Sequence, residues 1–337
     1  MIAFETDSHD PALNLGLEEY LFRCVVEKRH QELFPDHARD GILILWQNGP
    51  SVIVGRHQNT QVEVRKAFLD SEGIPVVRRL TGGGAVYHDL GNINYTFIKP
   101  DAGSAVDFMP FMRPVAEALK RCGVAAEFNS RNDLAVNGRK ISGSAQLRLS
   151  GVALHHGTLL YDVDMEKMVR ALSPDPAKVS LKGLDSVRSR VANLKELLPP
   201  EMTTDLLKDA VRAACGAEKQ PVPAPVAAGA HVLAETRYRA WEWNWGTSPA
   251  FSVTRKARFD WGGLECGFRI ERGVIAECSF KGDFFGNGVD ELEETLKGVF
   301  WRKNALRRAL AAVDLNSVFH GCEASALEEF LCELPDS

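Results

Sequence analysis

Three observations predict an α+β fold. Helical and strand-like stretches follow one another in mixed order, without the regular alternation of βαβ units. Asn137-Gly138, set between apolar and β-branched residues, announces a two-residue type I′ hairpin and hence antiparallel pairing. After about residue 250, strand-like runs come first and helices follow, the order of a second, smaller α+β unit. A chain of 337 residues also exceeds one ordinary core, so a large domain plus a small one is expected.

The elements read in order as follows. Asp10-Pro11 is an N-cap followed by a proline in the first helical turn. Leu15, Leu17, Leu21, Phe22 and Val25 recur at helical spacing, which predicts a helix from Pro11 to Glu27. "GILILWQN" and "SVIVGRH" are short buried strands, with Asn48-Gly49-Pro50 turning between them. Residues 61–73 are helical and "IPVVRRL" is a strand. "INYTFIK" alternates, with Ile93, Tyr95 and Phe97 opposite Asn94 and Thr96, the pattern of a half-buried strand. Residues 108–122 form a helix, then the hairpin, then the strand "VALHHGTLLYDV". Helices follow at 164–172 and 203–215. "KQPVPAPVAAGAH" is Pro/Ala-rich and reads as a loop or linker. "ARFDW" and "ECGFRIERGVIAECSF" are strands, and helices at 289–300, 303–313 and 323–333 close the chain. The charged stretch at residues 26–41 defaults to a surface loop.

Hydrophobic content of 45% and charged content of 25% are those of a soluble globular protein. A net charge of -5 gives no reason to expect nucleic acid. The seven cysteines are scattered, odd in number and never at CxxC spacing. That predicts reduced thiols in the cytoplasm rather than a disulfide framework or a zinc site. No signal peptide and no apolar run of membrane-spanning length is evident, so no membrane association is expected.

A two-residue turn sets the hairpin register: Val136 faces Arg139, Ala135 faces Lys140, Leu134 faces Ile141 and Asp133 faces Ser142. Alternation then places Asp133, Lys140 and Ser142 on one face beside the small Ala135. Asp133 and Lys140 are diagonal neighbours, roughly 7 Å apart at the backbone. Such a face reads as solvated with an incidental ion pair, or as a roomy site where a lysine, a carboxylate and a hydroxyl converge. The small residues of "SGSA" favour the second reading, because they mark the close approach of a ligand.

Gly82 to Gly84 fit neither a P-loop nor a dinucleotide fingerprint: no Gly-Lys-Ser/Thr follows, and Tyr87 stands where a third small residue belongs. Two readings remain, a tight connection between strands or an anion cradle of backbone N–H groups. Arg78 and Arg79 before the run, with His88, Asp89 and Asn92 after it, favour a phosphate site. His155 and His156 are adjacent on a strand and point to opposite faces, so they do not ligate one ion. Neither zinc-ligand spacing nor a GxSxG motif is present.

Taken together, "DPALNLGLEEYLF", "SVIVGRHQN", "RRLTGGGAVYHDLGNINYTF", "RNDLAVNGRKISGSAQ", "HHGTLLYDVD", "KGLDSVRSRVANLKELLP" and "WEWNWGTSPAFS" closely resemble, in that order, the lipoate–protein ligase A family. The likeness covers nearly the whole chain; Thr81 stands where the family often has serine. It implies a large mixed-sheet catalytic domain of the biotin/lipoate-ligase kind over residues 1–248 and a small α+β domain over 249–337. It implies activation of lipoate by ATP with Mg²⁺ to lipoyl-AMP, then transfer to a lysine of lipoyl domains of 2-oxo acid dehydrogenase complexes or of the glycine cleavage H protein. Carried over residue by residue, Lys140 is the catalytic lysine that touches both lipoate and ATP. Arg79, Gly84, Ala85, Val86, Tyr87 and Asn92 lie at the nucleotide. Gly83, Ser144 and His156 lie at the lipoate, and Asp133 holds Mg²⁺.

Three alternatives stand beside this reading. A thioester-dependent transferase on the same fold needs a cysteine facing the lysine, and none lies between Cys122 and Cys215. A lipoyltransferase fed with preformed lipoyl-AMP would use a similar site. A nonenzymatic lipoate-binding protein would have let the lysine or the glycine run degenerate, and both are intact.

Overall fold

Asp10 starts the first helix as its position predicts: its Oδ1 accepts hydrogen bonds from the N–H groups of Ala12 and Leu13. That helix, α1 (Pro11–Val26), is buried along most of its length. The structure, a computed structural model, describes residues 1–30, 40–58, 60–100, 106–129, 132–172, 189–245, 253–271 and 273–332. Residues 31–39 of the stretch at 26–41, residues 182–188 of the motif "KGLDSVRSRVANLKELLP" and residues 246–252 of "WEWNWGTSPAFS" lie outside them.

The chain divides into two compact units. The first comprises Met1–Val54, Thr60–Leu80 and Ala85–Trp245; the second comprises residues 55–59, 81–84 and 246–337. In the first, β1 (Ile2–Glu5), β2 (Ile42–Trp46), β6 (Asn92–Lys99), β7 (Glu127–Asn129), β8 (Asp133–Val136), β9 (Arg139–Leu149), β10 (Val152–Leu160) and β11 (Glu218–Gln220) form one mixed sheet. Its order is β11-β1-β2-β6-β10-β9-β8-β7. A smaller sheet, β4-β3-β5, joins β3 (Ser51–Val54), β4 (Val76–Arg78) and β5 (Val86–His88). In the second unit, β12 (Val253–Phe259), β13 (Gly262–Glu271) and β14 (Val274–Gly282) form an antiparallel sheet. Its core is built around Phe268, Phe280, Phe284 and Phe319. The α+β expectation holds in both units.

Three local expectations need correction. Strand β6 is buried on both faces, because it sits inside the large sheet between β2 and β10. The helix expected at 61–73 is broken into Thr60–Glu63 and Lys66–Glu72, and Gly73 ends the second in a left-handed cap. The Pro/Ala-rich segment is not a linker: Ala224–Leu233 is a helix. Its prolines fall at the helix start, where a missing N–H costs nothing, and alanine is the best helix former. Two glycines let it press on α1. A Cβ at Gly16 would stand 2.6 Å from the Ala230 carbonyl oxygen, and one at Gly229 would overlap the Tyr20 ring. The pair closes one face of the large sheet, with Leu15, Leu21, Val226 and Ala234 in a shared core.

Candidate active site

Strands β6, β10 and β9 run side by side, and their register fixes which side chains share a face. His156 lies opposite Thr96 and Ala145, Thr158 opposite Asn94, and Gly157 opposite Tyr95 and Ser144. Alternation therefore gathers Asn92, Asn94, Thr96, His156 and Thr158 on one polar face, with Gly143 and Ala145 on β9. Tyr95, Ser144 and His155 occupy the opposite face.

The hairpin begins as expected, with Val136 opposite Arg139 and Ala135 opposite Lys140. Beyond that point a β-bulge at Ile141 shifts the register, so Leu134 faces Ser142 and Asp133 faces Gly143. Next to the bulge, β9 also bonds outside the hairpin. The Lys140 N–H donates to the Arg190 carbonyl at 2.7 Å, and the Lys140 carbonyl accepts from the Ala192 N–H at 2.9 Å. A segment fifty positions away thus holds this one residue of β9 against it.

The shifted register corrects the expected set of converging groups. The Lys140 amine meets Asp133 Oδ1 at 2.8 Å. It does so directly above Gly143, where a Cβ would stand 2.6 Å from Nζ and 2.7 Å from Cε. Gly143 is therefore the gap that lets the lysine reach its carboxylate. The Thr158 hydroxyl is the one beside it, bonded to the Gly143 N–H at 3.3 Å. Ser142 and Ser144 instead face away and bond to the Tyr95 hydroxyl at 3.3 and 3.0 Å.

Further along the same face, His156 Nδ1 bonds to Glu18 Oε1 at 2.8 Å. Oε1 also accepts from the Thr96 hydroxyl at 2.7 Å, and that oxygen accepts from Trp46 Nε1 at 3.0 Å. Arg79 is fully buried, donates from Nη1 to the Ile53 carbonyl, and is electrostatically coupled to Glu18. Burial lowers its guanidinium to about 10, offset in part by Glu18, so it stays charged at neutral pH. Asn92 donates from Nδ2 to Asn94 Oδ1 at 2.9 Å. Lys140, Asp133, His156, Arg79 and Asn92 therefore all belong to the first unit.

The remaining expected residues are placed differently. Arg78 is a strut: its guanidinium bonds to Thr60 Oγ1 and to the Trp243 and Asn244 carbonyls. Trp243 returns a bond from Nε1 to the Arg78 carbonyl at 2.8 Å. Tyr87 and Ala85 pack into the core around Val52 and Phe68, and Val86 packs beside Ile53. Gly83 and Gly84 belong to the second unit. There a Cβ at Gly82 would overlap the Phe284 carbonyl oxygen, and the Gly83 N–H, at φ 90, donates to that same oxygen at 3.1 Å. Gly84 faces open space. The first two glycines thus admit the protein's own backbone, and the third leaves room.

Glu18 and Thr158 were not singled out from sequence, and Gly143 only as part of the run "SGSA". Glu18 sits within the family-like stretch "LGLEEYLF", so its place in a motif was the one available signal.

Two histidines carry a pH prediction. His88 is buried and lowered from 6.5 to about 3 by desolvation, then by Arg79 and His156. His155 is stacked on Phe111 at 4.7 Å, and burial first, then His156 and Arg148, lower it well below its ordinary value. The unfolded chain binds these protons near pH 6.5 and the folded chain does not. Stability is therefore expected to fall as pH drops below about 6.5 and, for His88, to keep falling until about pH 3. Each histidine contributes up to about 1.4 kcal/mol per pH unit. Urea titrations at a series of pH values check this; a midpoint flat between pH 7 and 5 would refute it.

The fold and the site define a mixed-sheet domain that presents a lysine–carboxylate pair at one end of a polar sheet face. Residues 10–216 match the family described as lipoyl protein ligase A/B catalytic domain, and residues 248–331 match the bacterial lipoate protein ligase C-terminus. Lipoate-protein ligase LplJ of Bacillus subtilis is 38% identical over 320 residues, 92% of this chain and 93% of that protein. Among solved structures, P. falciparum LipL1 in complex with lipoate is 25% identical with a TM-score of 0.81, covering 93% of this chain and 94% of that one. The bipartite ligase of Thermoplasma acidophilum, described with its E2 lipoyl domain, is 25% identical with a TM-score of 0.64, covering 75% of this chain and 98% of that one. The chain belongs to the lipoyl protein ligase A/B family.

Proposed function

We propose that this chain is an ATP-dependent lipoate–protein ligase. In the first half-reaction a lipoate carboxylate oxygen bonds to the α-phosphorus of ATP, the α–β phosphoanhydride bond breaks, and pyrophosphate leaves. In the second, the lysine amine of an acceptor bonds to the acyl carbon, the acyl–phosphate bond breaks, and AMP leaves. Beyond family membership, the observation that carries this reading is the Lys140 amine held over Gly143 at the end of a polar face. An ammonium is a compact charge able to lie between a carboxylate and a phosphate. It stabilises negative charge developing at phosphorus and then at the acyl oxygen.

Asp133 suits Mg²⁺ of the kind that keeps its waters and takes one carboxylate beside nucleotide phosphates; among the described residues no cluster of three metal-binding groups offers a closed cage. When bound, Mg²⁺ would neutralise phosphate charge. Arg79 and Asn92 are assigned to the nucleotide and His156 to the acyl group. Lipoyl domains of 2-oxo acid dehydrogenase complexes and the glycine cleavage H protein are the proposed acceptors. The unpaired cysteines of the described residues fit a reducing compartment, and the cytoplasm is the proposed location; no described helix is long and apolar enough to cross a membrane.

The thiols argue against a thioester mechanism. Burial pushes Cys215 up to about 12 and raises Cys122 as well, so neither is a ready thiolate. Lipoate-dependent exchange of labelled pyrophosphate into ATP, with Mg²⁺ and no acceptor, tests the reading. Exchange is expected. Its absence, with transfer from supplied lipoyl-AMP intact, would make the chain a transferase that depends on another enzyme for activation.

A further inference from the structure

His88 is singled out by its place in the glycine stretch, yet the reaction above gives it no task. A chain of amides fixes its protonation. Asn14 Nδ2 lies 2.9 Å from the Ser8 carbonyl and 3.0 Å from the Gln47 carbonyl. Two carbonyl oxygens require the NH₂ end of Asn14 at that position. The same Nδ2 lies 2.9 Å from Asn48 Oδ1; turning Asn48 over would set NH₂ against NH₂. Asn48 therefore shows its own Nδ2 to His88 Nδ1 at 3.1 Å. Nδ1 must accept, and the ring proton sits on Nε2. Protonating Nδ1 would place an N–H against an N–H, which opposes the cation in the same sense as burial.

Nε2 is buried and has no hydrogen-bond partner among the described residues. An unmet buried donor costs about 1–3 kcal/mol, so Nε2 calls for a partner, and a ligand oxygen would be one. The ring stands edge-on to Trp46, 6.3 Å between centroids, and Trp46 lies opposite Asn94 of the polar face. Arg79 and His156 are the charged or titratable groups that act on it.

We propose that His88 is a permanently neutral donor whose Nε2–H is kept for an anionic oxygen of the substrate, either the lipoate carboxylate or the phosphate of the adenylate. The proposal rests on the ligase reading for the identity of that oxygen. A neutral ring adds no repulsion to the Arg79 guanidinium whose charge it feels, so the two groups are compatible with one shared anion. Because the ring neither gains nor loses a proton at working pH, its role is to bind charge and not to transfer protons.

The test is long-range proton–nitrogen NMR of enzyme labelled with ¹⁵N-histidine. His88 is expected to show a protonated Nε2 and a bare Nδ1, unchanged from pH 8 to pH 5. The enzyme is then titrated with lipoate, with AMP, and with lipoyl-AMP formed in place from ATP. A downfield shift of the Nε2 proton with lipoate identifies the carboxylate; a shift with AMP alone identifies the phosphate. A proton on Nδ1, or no response to any of the three, overturns the proposal. Asn48→Asp supplies a carboxylate that accepts from Nδ1–H and reverses the tautomer. Pyrophosphate exchange is expected to fall roughly 10- to 100-fold in it, with circular dichroism unchanged. Full exchange with the tautomer reversed would also overturn the proposal, and if the variant does not fold the wild-type titration decides. A wild-type protein inactive in exchange whose Nε2 proton still moves with AMP or lipoate would overturn the reaction and keep the donor.

Discussion

Lys140→Ala is expected to lower lipoate-dependent pyrophosphate exchange by about 10²- to 10³-fold, the usual cost of deleting one group that stabilises transition-state charge. The fold should be untouched. The Lys140 side chain is 38% exposed, its ion pair with Asp133 is of the kind worth at most about 1 kcal/mol, and the variant keeps the backbone bonds to Arg190 and Ala192. Lys140→Arg should fare little better. A guanidinium is broad and planar, and the gap above Gly143 admits a slender stem with a small head. Exchange in Lys140→Ala near the wild-type rate, in protein with an unchanged urea midpoint, would remove Lys140 from the catalytic role.

Gly143→Ala should lower kcat for exchange by roughly 10- to 100-fold, because a shift of the order of an ångström in a reacting group costs about that much. Gly143 is not among the glycines with positive φ, so alanine meets no backbone strain. The obstruction is the lysine: the new methyl would stand 2.6 Å from Nζ and 2.7 Å from Cε, with Asp133 Oδ1 at 3.4 Å. The flexible end of the lysine gives way before the sheet does. Activity should therefore fall while stability changes by no more than about 1 kcal/mol, in contrast with overpacking of a rigid core. A steady-state comparison with urea unfolding separates the two. Wild-type kcat in Gly143→Ala would mean that the amine leaves Gly143 before it reacts.

These two residues show what was legible. Asn137-Gly138 announces its turn because only such residues take positive φ at both central positions, and Asn137 and Gly138 do, at φ 51 and 74. The first two pairs of the hairpin follow from it. The bulge at Ile141 does not, and neither do the bonds that residues 190–192, fifty positions away, make to Lys140 beside it. One inserted residue moves Ser142 and Ser144 to the Tyr95 side and brings Thr158 and Gly143 to the lysine. The same limit applies to Glu18: helical spacing predicts α1, but the docking of that helix, not its periodicity, brings a carboxylate to His156. The Pro/Ala segment misled for another reason. Its composition is that of a linker, while its prolines fall where a helix tolerates them and its glycine meets Tyr20. The glycine run is readable as a close approach; that the first partner is Phe284 of the same chain is not.

Strand β1 lies between β2 and β11, parallel to both. The first strand of the protein thus completes its pairing with residues 218–220, and α1 is covered by Ala224–Leu233 and by Ala234–Tyr238 after it, whose Tyr238 hydroxyl donates to Glu19. During synthesis the N-terminal third must wait, half-paired, until some 230 residues have been translated. This includes Glu18, which reaches His156 from the first helix. The large sheet is therefore closed from its oldest edge by one of its youngest segments. A nascent chain stopped at residue 216, the end of the catalytic-family match, would show the ribosome's surroundings an open strand edge and the bare Gly16–Tyr20 side of a helix. Exposed edges and apolar faces of that kind are what make incompletely folded chains prone to aggregate.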